Sequence, residues 1–504
     1  MRKILIANRG EIAVRVIRAC REMNISPVAV FSECDRPALH VRLADEAYAI
    51  GPSAPRESYL RIDRIVEAAS RCGADAVHPG YGFLSENSAF AAAVGDAGLT
   101  FIGPTPKAIE TMGSKTAARL AAKRAGVPVV PGTEQPIGPE TPVEEIAPVA
   151  QGIGYPLLVK AVAGGGGKGM RTVTAPADLA GAVQAARSEA ATAFGDAAVY
   201  LERKLTRPRH IEVQLLGDHH GTIVPFVERE CSIQRRHQKV VEETPSVAVS
   251  PALRSAITSA AAAVARTVEY TNAGTIEFLV DEDGSFYFLE MNTRLQVEHP
   301  ITELVTGVDL VRWQLRIAQG ERLDLDPARA VSPSGHAIEC RIYAEDPDNN
   351  FLPAPGRITA LRPSSGPGIR DDNGAAVGLD VPIFYDPMIS KLVAWAEDRQ
   401  AAVARMRRAL GEYLVGGIRT TIPFFTWLLA QPDFISGRFH TTYLDEILEA
   451  RKGRPFVEPG STVEEIAAIA AALFASSPAA ANPASNGRAS SDRWRTEARL
   501  EGLR

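Results

Sequence analysis

The stretch "AGTIEFLVDEDGSFYFLEMNTRLQVEHP", residues 273–300, constrains the chain more than any other. Two apolar runs flank Asp-Glu-Asp-Gly, the signature of a β-hairpin. With Asp283-Gly284 as a two-residue turn, Glu282 pairs with Ser285 and Glu277 falls opposite Glu290. Their Cβ atoms then lie about 5 Å apart. A longer loop built on the same residues would shift the partner without moving the two acids off one face. Ile276, Phe278, Phe288 and Leu289 signal burial around them. Two ionised carboxylates there repel, and a solvated acid pair or a shared proton would relieve the repulsion. Asn292, on the same face, supplies a third oxygen, and hard oxygens so arranged suit Mg2+, which keeps waters and substrate phosphates as its other partners.

The 504 residues suffice for several domains, and 45% hydrophobic with 23% charged content is ordinary for a globular protein. A net charge of -5 argues against a nucleic-acid binder. The five cysteines (Cys20, Cys34, Cys72, Cys231, Cys340) form no CxxC pair, which suits a reducing compartment. The N-terminus "MRKILIANRGEIAV" lacks the apolar core of a signal peptide, and no window offers a membrane span. The expectation is a cytoplasmic protein with no membrane partner.

"KILIA" (3–7) reads as a strand, Gly10–Met23 as a helix and "VAVF" (28–31) as a second strand, the opening of a parallel sheet. There is no G-x-G-x-x-G, so a dinucleotide reading is weak. "ADAVHPGYGFLSEN" (74–87) runs from a strand into a glycine-rich loop at the ligand-facing edge of such a sheet. "GVPVVPGTEQPIGPETP" (126–142) looks like inter-domain punctuation, and from about 155 to 300 the pattern becomes many strands with tight turns. "ASSPAAANPASNGRASS" (475–491) has the composition of a linker.

Two further motifs carry chemistry. In "YPLLVKAVAGGGGKGM" (155–170) Lys160 ends an apolar strand, four glycines follow, and another strand begins. A Walker loop requires Ser or Thr and a helix after its lysine, so this is better read as a glycine-rich hairpin folding over nucleotide phosphates than as a flexible linker. In "ERECSIQRRHQKVVEETP" (228–245), Gln234, Arg235, Arg236, His237 and Lys239 make a polar cluster rich in cations. Such a run is often a solvated face. The alternation of "PRHIEVQ" (208–214), which brings His210 inward, and the adjacent acid pair point instead to phosphates.

Together these motifs resemble the ATP-grasp enzymes, and within them the biotin carboxylase family. "ILIANRGEIAVRVIRA", "HPGYGFLSEN", "FIGP", "GGGGKGM", "RRHQKVVEE", "EMNTRLQVEHP" and "ECRIYAEDP" match it in order over about residues 1–446. The resemblance implies an α/β and α+β fold: a Rossmann-like N-terminal (pre-ATP-grasp) domain over 1–114, an ATP-grasp domain over 115–330 with a mobile glycine-rich lid at about 131–204, and a mixed C-terminal domain over 331–446. A tail over 447–504 follows. It further implies that Lys115 and Lys160 bind phosphates under Gly166 and Gly167. Glu202, Arg203, Lys204 and Leu205 would line the adenine pocket, and His210, Gln234 and His237 would contact the nucleotide. Glu277, Glu290 and Asn292 would hold Mg2+ or Mn2+, two ions in all. Lys239, Arg294, Gln296 and the Val297 backbone would bind bicarbonate, Glu298 would take its proton, and Arg341 would stabilise the biotin enolate. Lys168 and Arg203 stand where the family often has Arg and Lys, with charge kept.

The implied activity is ATP- and bicarbonate-dependent carboxylation of biotin, first half-reaction of a biotin-dependent carboxylase, with acetyl-CoA carboxylase foremost and propionyl-CoA or pyruvate carboxylases as alternatives. Another ATP-grasp ligase would share the lid and metal pair without needing "RLQVEHP", and a silent nucleotide-binding scaffold would have lost a ligand or the base. No Ala-Met-Lys-Met-type stretch occurs, so biotin is expected on a separate carrier protein, with carboxyltransferase subunits and a homodimer as further partners. In the tail, "STVEEIAAIAAALFASS" (461–477) reads as a capped helix and "SDRWRTEARLEGLR" (491–504) as a shorter one. The tail is then either a disordered extension or a tether whose last helix docks on another chain of the complex. Under the tether reading, deleting residues 451–504 leaves carboxylation of free biotin intact and weakens co-purification with the carrier and carboxyltransferase. Loss of free-biotin activity would place the tail inside the catalytic fold.

Overall fold

The computed structural model describes residues 1–162, 169–451, 453–457, 465–466 and 468–472. Two units emerge, Met1–Phe456 and Val457–Arg504. In the second, residues 465–466 and 468–472 are helical, inside the span expected at 461–477, while 491–504 lies outside the described residues. Among the described residues no helix is long and apolar enough to cross a membrane.

The first unit opens as its sequence implies. Strands β1 (Lys3–Ile6), β2 (Ser26–Ser32), β3 (Glu46–Gly51), β4 (Ala76–His78) and β5 (Thr100–Phe101) form a parallel sheet in the order β3-β2-β1-β4-β5. The amphipathic helix Gly10–Glu22 connects β1 to β2. The strand order reverses at β1, so the segments leaving β1 and β4 form the crevice of this sheet. They are pinned to each other. The Asn8 side-chain amide donates to the carbonyls of Pro79 (2.7 Å) and Tyr81 (2.8 Å). Gly80 between them has φ +64°, and a Cβ there would lie 2.8 Å from Asn8 Nδ2, so glycine is required. Arg9 makes a bidentate pair with Asp35 and lies over the Tyr385 ring at 4.3 Å.

The glycine-rich hairpin lies in a three-stranded antiparallel sheet of β6 (Leu157–Ala161), β7 (Met170–Val173) and β8 (Val199–Arg203), with β6 central. Residues 163–168, with Gly166 and Gly167, lie outside the described residues. The Pro/Gly-rich stretch 126–142 is no free linker, since Val129, Gly132 and Ile137 bridge to Phe288, Glu202 and Val199.

Eight further strands make one antiparallel sheet: β9 (Arg209–Gly217), β10 (Ile223–Arg235), β11 (Gln238–Thr244), β12 (Asn272–Val280), β13 (Phe286–Asn292), β14 (His336–Tyr343) and the strands Ile369–Asn373 and Met388–Ala396, while shorter strands between and after them pair in twos. Its order begins β13-β12-β9-β10-β11-β14 and ends on the last two. The many-strand expectation for 155–300 missed two helices, Leu179–Phe194 and Pro251–Thr267. Both are alanine-rich, and the second starts at Pro251 with the Ser250 hydroxyl accepting from Leu253 N, a strong local start signal.

Two fully buried histidines couple the N-terminal sheet to pH. His40 approaches the Val30 carbonyl at 3.3 Å, and His78 accepts from Gly80 N. Burial pushes each from 6.5 to about 4. Between those values the unfolded chain binds more protons, so stability falls as pH drops through that window, by up to about 3 kcal/mol per histidine. Urea unfolding at neutral and acidic pH should show this loss, reduced in His40→Leu.

Candidate active site

The hairpin that constrains the sequence forms with a different turn. Asp281 N donates to Ser285 O, so Glu282, Asp283 and Gly284 make a three-residue loop, and Val280 pairs with Phe286. That register alone would put Glu277 opposite Leu289. A β-bulge between the Phe278–Phe288 and Glu277–Glu290 pairs restores the acid pair and leaves Leu289 as the extra residue. The expected two-residue turn is wrong and the expected acid pair is right, because two irregularities cancel.

The pair belongs to a longer row. Glu277 also sits opposite Glu212 on β9, and Glu212 opposite Arg229 on β10. Three carboxylates and a guanidinium thus run across β13, β12, β9 and β10 on one face. Arg229 is fully buried, bound to Glu212, Gln214 (3.1 Å), Thr275 (3.1 Å) and Thr302 (2.9 Å). The Lys239 ammonium from β11 closes the array, donating to Glu212, to Glu277 (2.8 Å) and to Glu298 (2.8 Å).

These cations set the acids apart. Burial would raise Glu277, but Lys239 and His210, whose Nε2 lies 3.0 Å away, hold it far below the carboxylate range. Glu290 goes up instead, through burial and the charge of Glu277. Burial opposes ionisation of Glu298 too, yet Lys239, Arg341 and Arg229 keep it well below normal. Arg341 of β14 donates to Glu298 at 2.8 Å and contacts Glu242 at 2.5 Å.

A cavity of about 740 Å³ receives these groups. Its walls include Lys115, Lys160, Glu202, Arg203, Lys204, Leu205, His210, Gln234, His237, Lys239, Glu277, Glu290, Asn292, Arg294, Gln296, Val297 and Arg341. Glu298 stands behind that wall, fully buried, and faces the cavity through Lys239 and Arg341. Gln234 donates to His210 Nδ1 at 3.1 Å. Arg236 and His237 form the tight turn between β10 and β11, both at positive φ. Arg294 reaches Gln296 (2.9 Å), Asn292 (3.1 Å) and Glu86 (2.8 Å), the last on the glycine-rich loop after β4. Asn292 Nδ2 donates to Glu277 at 2.7 Å. Lys160 and Glu202, given separate tasks in the sequence, form one ion pair, which Arg119 shares at 2.5 Å.

Several residues here were missed: Glu212, Arg229, Glu86, Glu242, Arg119 and Lys391. Glu212 was within reach, because the alternation that turns His210 inward turns Glu212 the same way. Lys391 donates to the Val297 carbonyl at 2.9 Å from a strand almost a hundred residues away, for which no local signal exists.

A cavity lined by interleaved lysines, arginines and carboxylates, beside the strands of the glycine-rich hairpin, has the character of a nucleotide-phosphate enzyme. Known proteins match it. Residues 1–109 match the biotin carboxylase N-terminal domain family, 114–326 the ATP-binding domain of the carbamoyl-phosphate synthase L chain, and 339–446 the biotin carboxylase C-terminal domain. A biotin carboxylase of Nostoc sp. is 52% identical, over 88% of this chain and 99% of its own. One of the pyruvate carboxylase subunits of Methanothermobacter thermautotrophicus is 53% identical, over 88% and 89%. Among solved structures, a Campylobacter jejuni biotin carboxylase–β,γ-ATP complex has a TM-score of 0.84 at 45% identity, over 88% of this chain and 98% of that one. The biotin carboxylase domain dimer of Hydrogenobacter thermophilus 2-oxoglutarate carboxylase, with MgADP, ADP and bicarbonate, gives 0.84 at 46% identity, over 91% and 99%. The chain belongs to the biotin carboxylase family and is an ATP-dependent ligase.

Glu290→Gln removes one charge of a repelling pair at constant shape, so the melting temperature should hold or rise. The same change should lower bicarbonate-dependent ATP cleavage at least ~100-fold. ATP cleavage near the unsubstituted rate would remove Glu290 from the site.

Proposed function

We propose that this chain carboxylates biotin borne on a separate carrier protein, using ATP and bicarbonate and passing through carboxyphosphate. The supporting observation is the Lys239–Glu298–Arg341 junction standing directly beside Glu277, Glu290 and Asn292. Lys115, Lys160, Gly166 and Gly167 meet the phosphates, Glu202 to Leu205 line the adenine pocket, and His210, Gln234 and His237 contact the nucleotide. Lys239, Arg294, Gln296 and the Val297 backbone hold bicarbonate. The reading includes Mg2+ or Mn2+, two ions, a homodimer and a carboxyltransferase partner in the cytoplasm. Its domain limits are 1–114, 115–330 and 331–446. Acetyl-CoA is the first acceptor to test, with pyruvate and other 2-oxo acids next, since relatives are named for several carboxylases.

The residues fit a divalent ion. Glu290 is raised by burial and by the charge of Glu277, and Glu277 and Asn292 add oxygens beside it. Glu277, Glu290 and Asn292 would hold the ion, which supplies positive charge for the phosphate oxygens. His210, Glu212 and Glu277 also lie within 4.8 Å of one another, but Lys239 already binds the two acids.

The protein's own groups account for proton handling. In the structure Lys239 and Arg341 occupy both oxygens of Glu298, which makes it a weak base. Bicarbonate binding to Lys239 and Arg294 draws positive charge towards the new anion, and the basicity of Glu298 rises as its substrate arrives. Closure of the lid over the cavity excludes water from labile carboxyphosphate. Phosphate released beside biotin is placed to take the ureido proton, and Arg341 stabilises the enolate so formed.

The two arginines should separate. Arg294→Ala raises the KM for bicarbonate roughly tenfold or more, whereas Arg341→Ala mainly lowers carboxybiotin formation while bicarbonate-dependent ATP cleavage persists. Normal carboxybiotin yield in Arg341→Ala would overturn its assigned role. ATP cleavage unaffected by bicarbonate would sink the whole reading.

A further inference from the structure

Behind Arg341 lie two acids that the reaction does not use. Glu242 on β11 and Glu339 on β14 are directly opposite in register, and both are fully buried. Arg341 meets Glu242 Oε1 at 2.5 Å, and among the described residues no other donor hydrogen-bonds the carboxylate oxygens of the pair. Ala337 shares the face of Glu339, Val393 lies opposite it, and Val305 packs with both, so the surroundings are dry. Two ionised carboxylates at about 5 Å in such a place are untenable.

The charged groups facing the pair are already committed. Arg341, two residues along β14, is divided between Glu242 and Glu298. Lys391, opposite Arg341, is held by the Val297 carbonyl and by Glu11 of the first helix at 3.2 Å, with Asp372 at 3.9 Å. Lys239 serves Glu212, Glu277 and Glu298. His299, on the helix facing β14, is kept neutral by burial and the nearby cations.

We propose that Glu242 and Glu339 share a single proton at neutral pH and act as positioning residues that limit the negative charge holding Arg341. With one proton, Arg341 faces one charge from the pair and one from Glu298, and stays available to a further anion in the cavity. Loss of that proton adds a second charge and ties the guanidinium to its own acids. Burial raises both groups. The functional half of this inference rests on Arg341 serving biotin; the proton itself does not.

Two measurements on the full chain test it. Infrared spectra of the unsubstituted enzyme should contain a buried carboxylic-acid C=O band at neutral pH that Glu339→Gln removes. In Glu339→Gln, kcat/KM for free biotin should stay within ~3-fold near neutrality, while its alkaline decline moves to higher pH, because no second charge can form on the pair. Glu339→Met serves as a second variant, because replacing an unbonded buried acid with an apolar side chain should not lower the melting temperature. An unchanged infrared band overturns the shared proton. Loss of the band with an unmoved alkaline limb overturns its control of Arg341. Normal biotin turnover in Arg341→Ala overturns the role of that arginine and leaves the infrared result standing.

Discussion

The Lys239 ammonium is the contact on which the site depends. It gathers Glu212 from β9, Glu277 from β12 and Glu298 from the turn after β13, three buried carboxylates spread over almost ninety residues. An isolated carboxylate in such surroundings costs several kcal/mol, and removing one partner of a buried ion network costs about 3–5 kcal/mol. Arg229 and Arg341 close the array from either side, one beside Glu212 and one against Glu298. The outcome is a graded set of acids: Glu277 and Glu298 held down by their cations, Glu290 raised by burial and by the charge of Glu277. Glu290 lines the cavity.

The antiparallel sheet makes this array possible. Neighbouring strands lie about 4.8 Å apart, so residues in one cross-strand row are within ion-pair reach without long side chains stretching. The row Glu290–Glu277–Glu212–Arg229 uses four adjacent strands. The next strands, β11 and β14, bring Lys239 and Arg341, and the same sheet supplies Glu242 and Glu339 behind them. Substrate cavity and buried proton pair are therefore two ends of one surface. The parallel N-terminal sheet contributes Glu86, which steadies Arg294 from the loop after β4.

Much of this was legible in the residues. Period-two alternation placed His210, Glu277, Glu290 and Asn292, and strand–helix–strand patterning placed the parallel sheet. The family resemblance, carried by short motifs in order, supplied the remaining cavity residues. The turn after β12 shows the limit: local preference for Asp-Gly suggested a two-residue hairpin, and only packing selected the three-residue loop and the compensating bulge. The helices Leu179–Phe194 and Pro251–Thr267 show another, since alanine-rich stretches carry little amphipathic signal even where their caps are clear.

By itself the sequence determined the opening strand–helix–strand, the hairpin that carries Glu277 and Glu290, and the inward face of His210, because alternation acts over a few residues. Tertiary structure alone decided the charge state of those residues. Glu277 and Glu290 are the same side chain on facing strands, yet one is driven down and the other up, because Lys239 and His210 contact the first directly while burial and the charge of Glu277 outweigh them at the second. Lys391 behind Val297 and Glu339 opposite Glu242 likewise arise from contacts between segments distant in sequence. Electrostatic energy depends on distances of a few ångströms in a dry interior, and those distances exist only once the sheet has closed.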